Sequence, residues 1–217
     1  MILQAPLPFG IPAYTFIPED WMRTGRLRLR QWVKEDLAPF AAINCDPQVM
    51  RHLPALLSRE QSDAHAARIH ALIEQRGWGF WAVDSLQEKD EPRFIGFVGL
   101  HIPQAELPFS PCVEVGWRLD RAFWGKGLAT EAARLAVRIG FEALNLPEIV
   151  AFTARGNQRS SAVMERLGMR NDPADDFDHP AVAEGNALRP HRLYRLTRGE
   201  WRSRAADSAR NGLPQGR

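Results

Sequence analysis

Three places in the chain combine residue types that could do chemistry. The first is the turn Trp124-Gly125-Lys126-Gly127-Leu128-Ala129, which follows the alternating run Val113–Leu119 and opens into a helix. That helix is marked by Leu128, Ala132, Leu135, Ala136, Ile139 and Ala143, which recur at three- and four-residue spacing along one face. A strand that passes through a glycine turn into a helix gathers unpaired backbone N–H groups around one point. The helix dipole adds positive potential there, so the turn suits phosphates. The second place is Glu114, inside the alternating strand. A carboxylate in a partly dry cleft has its pKa raised toward neutrality and can take a proton from an amine. A solvent-facing strand glutamate is the plain alternative. The third is Asp178-His179, a candidate second base or recognition site for a basic acceptor, with loop packing around Phe177 as its alternative.

Two widespread phosphate motifs do not fit the turn. A Walker-type loop needs a glycine four residues before Gly-Lys and a hydroxyl after it, whereas Asp120 and Gly127 stand at those positions. A dinucleotide fingerprint wants a carboxylate at the end of the next strand. Glu148 would begin the strand Ile149–Ala154 rather than end it.

The stretch from Val113 to Glu131 resembles instead the GNAT superfamily of acyl-CoA N-acyltransferases. That family's pyrophosphate loop reads (Gln/Arg)-x-x-Gly-x-(Gly/Ala), and here it aligns as Trp124-x-x-Gly127-x-Ala129, with Trp at the first position. The variant WGKGLATEA is similar to the branch of Rim-type ribosomal-protein N-acetyltransferases. Downstream, Asn157-Gln158-Arg159-Ser160 matches the family's Asn-x-x-Ser segment, and Glu165 to Met169 closes the helix in the family manner. The combination DFDHP with LRPHRLYRL resembles a subgroup of bacterial members. The resemblance covers roughly residues 24 to 196.

It implies a single-domain α/β fold with a mixed central sheet, splayed central strands and flanking helices. It also implies acetyl-CoA as co-substrate, with acetyl moved to a primary amine, either a protein N-terminus or a small amine. Donor binding is then expected at Trp124, Gly125, Lys126, Gly127, Leu128, Ala129 and Thr130, and along the strand at Val115, Trp117 and Leu119. Rim-type enzymes use a glutamate as base at the position of Glu114. Ser160 stands where the family places a serine that donates a proton to the leaving sulfur, and a helix cap is its alternative. Asn157 is expected to bond the pantetheine arm or to cap its helix. Cys112 lies beside the strand without an obvious His partner, so direct attack in a ternary complex is favoured over a covalent acyl-enzyme. No metal is required. A CoA-binding sensor or scaffold without turnover is the alternative function.

Composition is compatible with all of this. The chain has 217 residues, enough for one domain with a sizeable core, and 45% hydrophobic and 25% charged residues, as in soluble globular proteins. The net charge of +2 argues neither for nor against a polyanion, and nucleic acid is not an expected partner. No run approaches the roughly 18 apolar residues of a membrane span. The start MILQAPLPFGIP lacks the basic region and apolar core of a secretory signal. Two cysteines, Cys45 and Cys112, make neither a disulfide framework nor a zinc site, so a cytoplasmic location is expected.

The elements that must position these residues are also legible. Residues 1–23 hold four prolines among aromatics, which excludes a regular helix or central strand, and they are expected to lie over the domain or a partner subunit, with a homodimer as one outcome. Arg26 to Arg30 alternates as a strand with a solvated arginine face. A helix from about Lys34 to Asn44, another opening at Asp46-Pro47, and a longer one from the capping box Ser58-x-x-Gln61 to Gly77 follow. His65 and His70, five apart, are expected at the surface. Gly79–Asp84 and Arg93–His101 read as a hairpin, and the domain spans 24–200. Residues 201–217 are expected to be a disordered tail.

Overall fold

The computed structural model describes residues 7–87 and 91–210. Arginine alternation forms β1 (Leu27–Arg30), with Leu27 and Leu29 in the core. The other face of this strand is not a row of solvated cations. Arg28 and Arg30 converge on Asp84, and Arg30 also reaches Asp36 at 2.7 Å; both carboxylates are 2% exposed. Buried acids require such partners, which only the fold brings together.

Two helices follow, α1 (Leu37–Cys45) and α2 (Arg59–Arg76). The expected helix at Asp46-Pro47 is instead a turn, in which Asp46 accepts from Gln48 N–H at 2.7 Å, followed by the single 3-10 turn Met50–His52. Helix α2 starts and stops where the sequence indicates. Ser58 and Gln61 make the reciprocal cap, and Gly77 ends the helix at φ +82°.

Strands β2 (Phe80–Ser85), β3 (Arg93–His101) and β4 (Glu114–Leu119) extend the sheet, each antiparallel to the one before. Every residue from Phe94 to Leu100 is buried, as a central strand covered on both faces demands. Gly99 is required by contact: a Cβ there would lie 1.9 Å from the Gly79 carbonyl oxygen. Helix α3 (Leu128–Glu142) packs Leu128, Ala132, Ala136 and Ile139 fully into the core. Then come β5 (Glu148–Ala154), α4 (Gln158–Leu167), the short strands β6 (Arg170–Asn171) and β7 (Phe177–Asp178), and β8 (Pro190–Thr197). The sheet order is β1-β2-β3-β4-β5-β8-β6, with β7 also pairing β8. Mixed strand direction and flanking helices are those expected of an α/β domain.

The first 23 residues lie on the domain within the described range. Ile11 and Ile17 are buried in the main core, and Thr15 N–H bonds the Arg76 carbonyl at 2.9 Å. The expected disordered tail is corrected. Residues 198–210 form a helix, α5 (Arg198–Arg210), while 211–217 lie outside the described residues. Its start is a reciprocal cap between Thr197 and Glu200, and Trp201 meets Phe141 with ring centroids 5.4 Å apart. An aromatic anchor outweighs the helix's polar composition.

Candidate active site

Strands β4 and β5 are parallel neighbours that register at one point, Glu114 opposite Val150, next to the bond from Val150 N–H to the Val113 carbonyl (3.0 Å). Each strand is tied along its length to another partner, β4 to β3 and β5 to β8. Beyond Glu114 each follows its own partner and the seam opens. The result is a notch closed at Glu114 and open toward the C-terminal ends of both strands. Its edges offer main-chain groups to an extended ligand. At roughly 3.3 Å per residue, the notch runs about 17 Å from Glu114 to Leu119.

Alternation along β4 assigns the side chains. Val115 and Leu119 are buried against the helical side with Trp117 beside them, whereas Glu114, Gly116 and Arg118 share the opposite face. Glu114 is half-buried, and loss of water raises its carboxyl pKa to about 8. Its Oε1 stands 3.6 Å from where a Gly116 Cβ would be, with the Phe80 ring 3.0 Å from that point. Its cross-strand neighbour is His101, stacked on Phe80 at 5.1 Å. Arg118 donates to Asn44 Oδ1 at 2.6 Å and has no carboxylate partner among the described residues.

At the open end, β4 leads through the turn to α3. Gly125 and Gly127 have φ of +75° and +79°, and Gly127 is the N-cap of α3 without a capping side chain. The amides of Leu128, Ala129 and Thr130 therefore start the helix with no partner of their own. Trp124 is fixed by its Nε1–H to the Leu119 carbonyl at 2.9 Å, and Lys126 Nζ lies over Phe123. Arg26 bonds the Lys126 carbonyl and pairs with Glu131, bracing the turn from β1. Arg159 from α4 lies 4.6 Å over the Trp124 ring, so the starts of α3 and α4 flank the same opening. Exposed amides, a helix start and nearby cations fit a pyrophosphate.

Asn157 caps α4, accepting from Ser160 N–H at 3.2 Å. Its amide nitrogen donates to Thr153 Oγ1 at 2.8 Å and to Ser160 Oγ at 3.0 Å. Ser160 Oγ thus receives a bond while its own hydrogen remains available. Glu114 and Ser160 do not touch. They stand on different sides of the notch, with Thr153, the neighbour of Asn157, about 10 Å along β5 from the level of Glu114.

His179 lies against Phe152, two residues past the Glu114–Val150 register point on β5. Asp178 is exposed and paired with Arg189 at 3.4 Å, and His179 packs against His191 with ring centroids 4.9 Å apart, within a cluster that includes Phe152 and Phe177. Burial lowers the His179 pKa, with a further contribution from His191. Cys112 is 5% exposed, and burial and the nearby Glu114 raise its thiol pKa to about 11, which makes it a poor nucleophile. His65 is also corrected: it is half-buried against Phe40, and burial lowers its pKa to about 4. An open hollow of about 640 Å³ lies elsewhere, between β8 and the outer side of α4 around Tyr194 and Glu165.

The sequence profile of the acetyltransferase (GNAT) domain matches residues 26–170. The chain belongs to the GNAT family. A protein of Aspergillus fumigatus named FsC-acetyl coenzyme A-N(2)-transacetylase is 30% identical over 200 residues, spanning 86% of this chain and 80% of that one. YdaF of Bacillus subtilis, described as a candidate ribosomal N-acetyltransferase, is 40% identical over 55 residues, 25% of this chain and 30% of its own. The fold also matches RimL, the ribosomal L7/L12 alpha-N-protein acetyltransferase solved with coenzyme A. That match has a TM-score of 0.62 at 17% identity and covers 80% of this chain and 95% of RimL. As a GNAT member this chain is an acyl-CoA-dependent acetyltransferase, moving acetyl from acetyl-CoA to an amine. Among the described residues no helix is long and apolar enough to cross a membrane, and no cluster of His, Cys, Asp and Glu could hold a metal.

Of the site residues, Arg118 could have been found by counting two and four along β4 from Glu114. Phe80, His101 and Asn44 had no such signal, because strand register and helix docking bring them in.

Proposed function

We propose that this acetyltransferase works by direct attack of a primary amine on the thioester, with Glu114 as general base. The observation that carries this reading is the position of Glu114: its carboxyl sits where the notch closes and has a pKa of about 8. A base with that pKa is ionised in a useful fraction near neutral pH and still has the proton affinity to assist an amine. The amides of Gly125 to Ala129 hold the pyrophosphate, and the CoA arm lies along the open edge of β4. The amine nitrogen forms its bond to the thioester carbonyl carbon as its proton passes to Glu114. A main-chain N–H on the open edge of β4 meets the charge that develops on the carbonyl oxygen. As the carbon–sulfur bond breaks, Ser160 offers its free hydrogen to the sulfur. The high pKa and burial of Cys112 argue against an acyl-cysteine route.

The test is acetyl-CoA binding by calorimetry, followed by a thiol-release screen over amines and short peptides. Binding with turnover is expected. Binding without turnover on a broad panel would favour a CoA sensor, and no binding would refute the assignment of the turn.

Ser160→Ala should lower kcat about tenfold, below the usual range for lost acid catalysis, because a thiol is already acidic enough to leave well. Its melting temperature should hardly change, since the bond from the residue-160 N–H to Asn157 Oδ1 survives. An unchanged kcat would reduce Ser160 to a packing role.

A further inference from the structure

On the face that carries Glu114 lies a second hollow of about 300 Å³, between α2, the start of β2 at Gly79 and Phe80, and the end of β3 at His101. The titratable side chains that line it are His65, Arg68, Arg76 and His101, with no Asp or Glu among them. Arg76 is 5% exposed, lies 3.8 Å over Trp78, donates its Nε–H to the Trp78 carbonyl, and leaves Nη2 without a hydrogen-bond partner. A buried guanidinium with an unused donor is costly unless an anion completes it. Arg68 is exposed and meets His65 at 3.5 Å, with no carboxylate partner among the described residues. Arg118, on the same face as Glu114, is likewise without a carboxylate. The two histidines add no charge to this field, because burial and the neighbouring arginines lower both their pKa values to about 4. They remain neutral above that range and add ring surface.

The hollow reaches the reacting centre. Phe80 and His101 line it, and the same two rings border Glu114 across Gly116. An acceptor whose amine stands at Glu114 would therefore extend past these rings toward the arginines. From this juxtaposition we infer that the acceptor is a small amine that also bears a carboxylate, with its anionic end held by Arg76 and Arg68. The inference rests on the N-acetyltransferase reading and narrows its substrate class. A free polyamine, which carries only positive charge, is disfavoured by the same field.

The test is the thiol-release assay on matched acceptors, each amino acid against its own amide, with spermidine as a cationic control. The free carboxylate should raise kcat/KM by about 10- to 100-fold over the amide, as expected for a charge-assisted pair of roughly 1.5–3 kcal/mol. Arg68→Gln, an exposed change that leaves the fold intact, should raise KM for the carboxylated acceptor several-fold more than KM for its amide, shrinking the preference between them. Arg76→Gln should show the larger loss of the same preference; if it fails to fold, Arg68→Gln alone carries the test. Equal rates for acid and amide, or a preference for spermidine, would overturn the inference. Turnover on any amine in the same assay leaves the acetyltransferase reading standing whatever the preference, whereas absence of acetyl-CoA binding by calorimetry would refute that reading separately.

Discussion

Replacement of Glu114 by Gln is expected to lower kcat by roughly 10²- to 10⁴-fold, the usual cost of losing a positioned base. Acetyl-CoA affinity should stay unchanged, because the pyrophosphate turn lies about 17 Å away along β4. The change is nearly isosteric, and burial already favours the neutral form of the side chain. The pH profile separates this from a general loss of integrity. In the parent enzyme, kcat/KM should rise with pH through about 8 as the carboxyl ionises, on top of the ionisation of the amine itself. The Gln variant should lose the inflection near 8 and keep that of the amine. Stability should respond in the opposite direction. The folded carboxyl keeps its proton up to about 8, whereas the unfolded one releases it near 4.5. Its contribution is therefore fully present below about 4.5 and is lost as pH rises toward 8. Thermal melts across that window should fall more steeply for the parent than for the variant. Parent-like kcat in Glu114→Gln would transfer the role of base to another group.

The second large effect is expected from Gly127→Glu, which should weaken acetyl-CoA binding at least about a hundredfold by calorimetry. A carboxylate at the start of α3 would stand where phosphate charge belongs. Two like charges roughly 4 Å apart near a protein surface repel by about 4 kcal/mol. Folding should survive, because the nearest atom to an added Cβ is Arg26 Nη2 at 3.9 Å. The φ of +79° adds backbone strain of about 1–2 kcal/mol for any L side chain. Gly127→Ala carries that strain without the charge and serves as the control. It should melt lower than the parent and yet bind acetyl-CoA far better than the Glu variant. Equal affinities for the two variants would mean that backbone geometry, and not charge, governs the turn.

Much of this site is legible in the chain itself, for identifiable reasons. The turn Trp124 to Ala129 is local: glycine at positive φ, an uncapped helix start and the apolar stripe of α3 all lie within twenty residues. Helix α2 is equally local, since Ser58, Gln61 and Gly77 mark both of its ends. Alternation on β1 and β4 assigns faces correctly. What it does not supply is the partner on each face. Arg28 and Arg30 look solvated until Asp84, more than fifty positions away, is laid against them. Helix α5 departs from the expected tail although its cap, Thr197 and Glu200, is written in the sequence. Its polar composition outweighed that signal, and the anchoring contact of Trp201 with Phe141 exists only after folding.

Through the resemblance of its motifs the sequence pointed to the acetyltransferase class, and by itself it marked the glycine turn, the strand that carries Glu114 and the capped helices. These depend on φ/ψ preferences, capping and periodicity, which act over a few residues. Tertiary structure alone decided where the β4–β5 seam opens, how much water Glu114 loses, and that His65, His101, Arg68 and Arg76 share one hollow. Each of those depends on strand register and helix docking between segments far apart in the chain. Desolvation and unpartnered charge, which tune the chemistry, arise only when such segments meet.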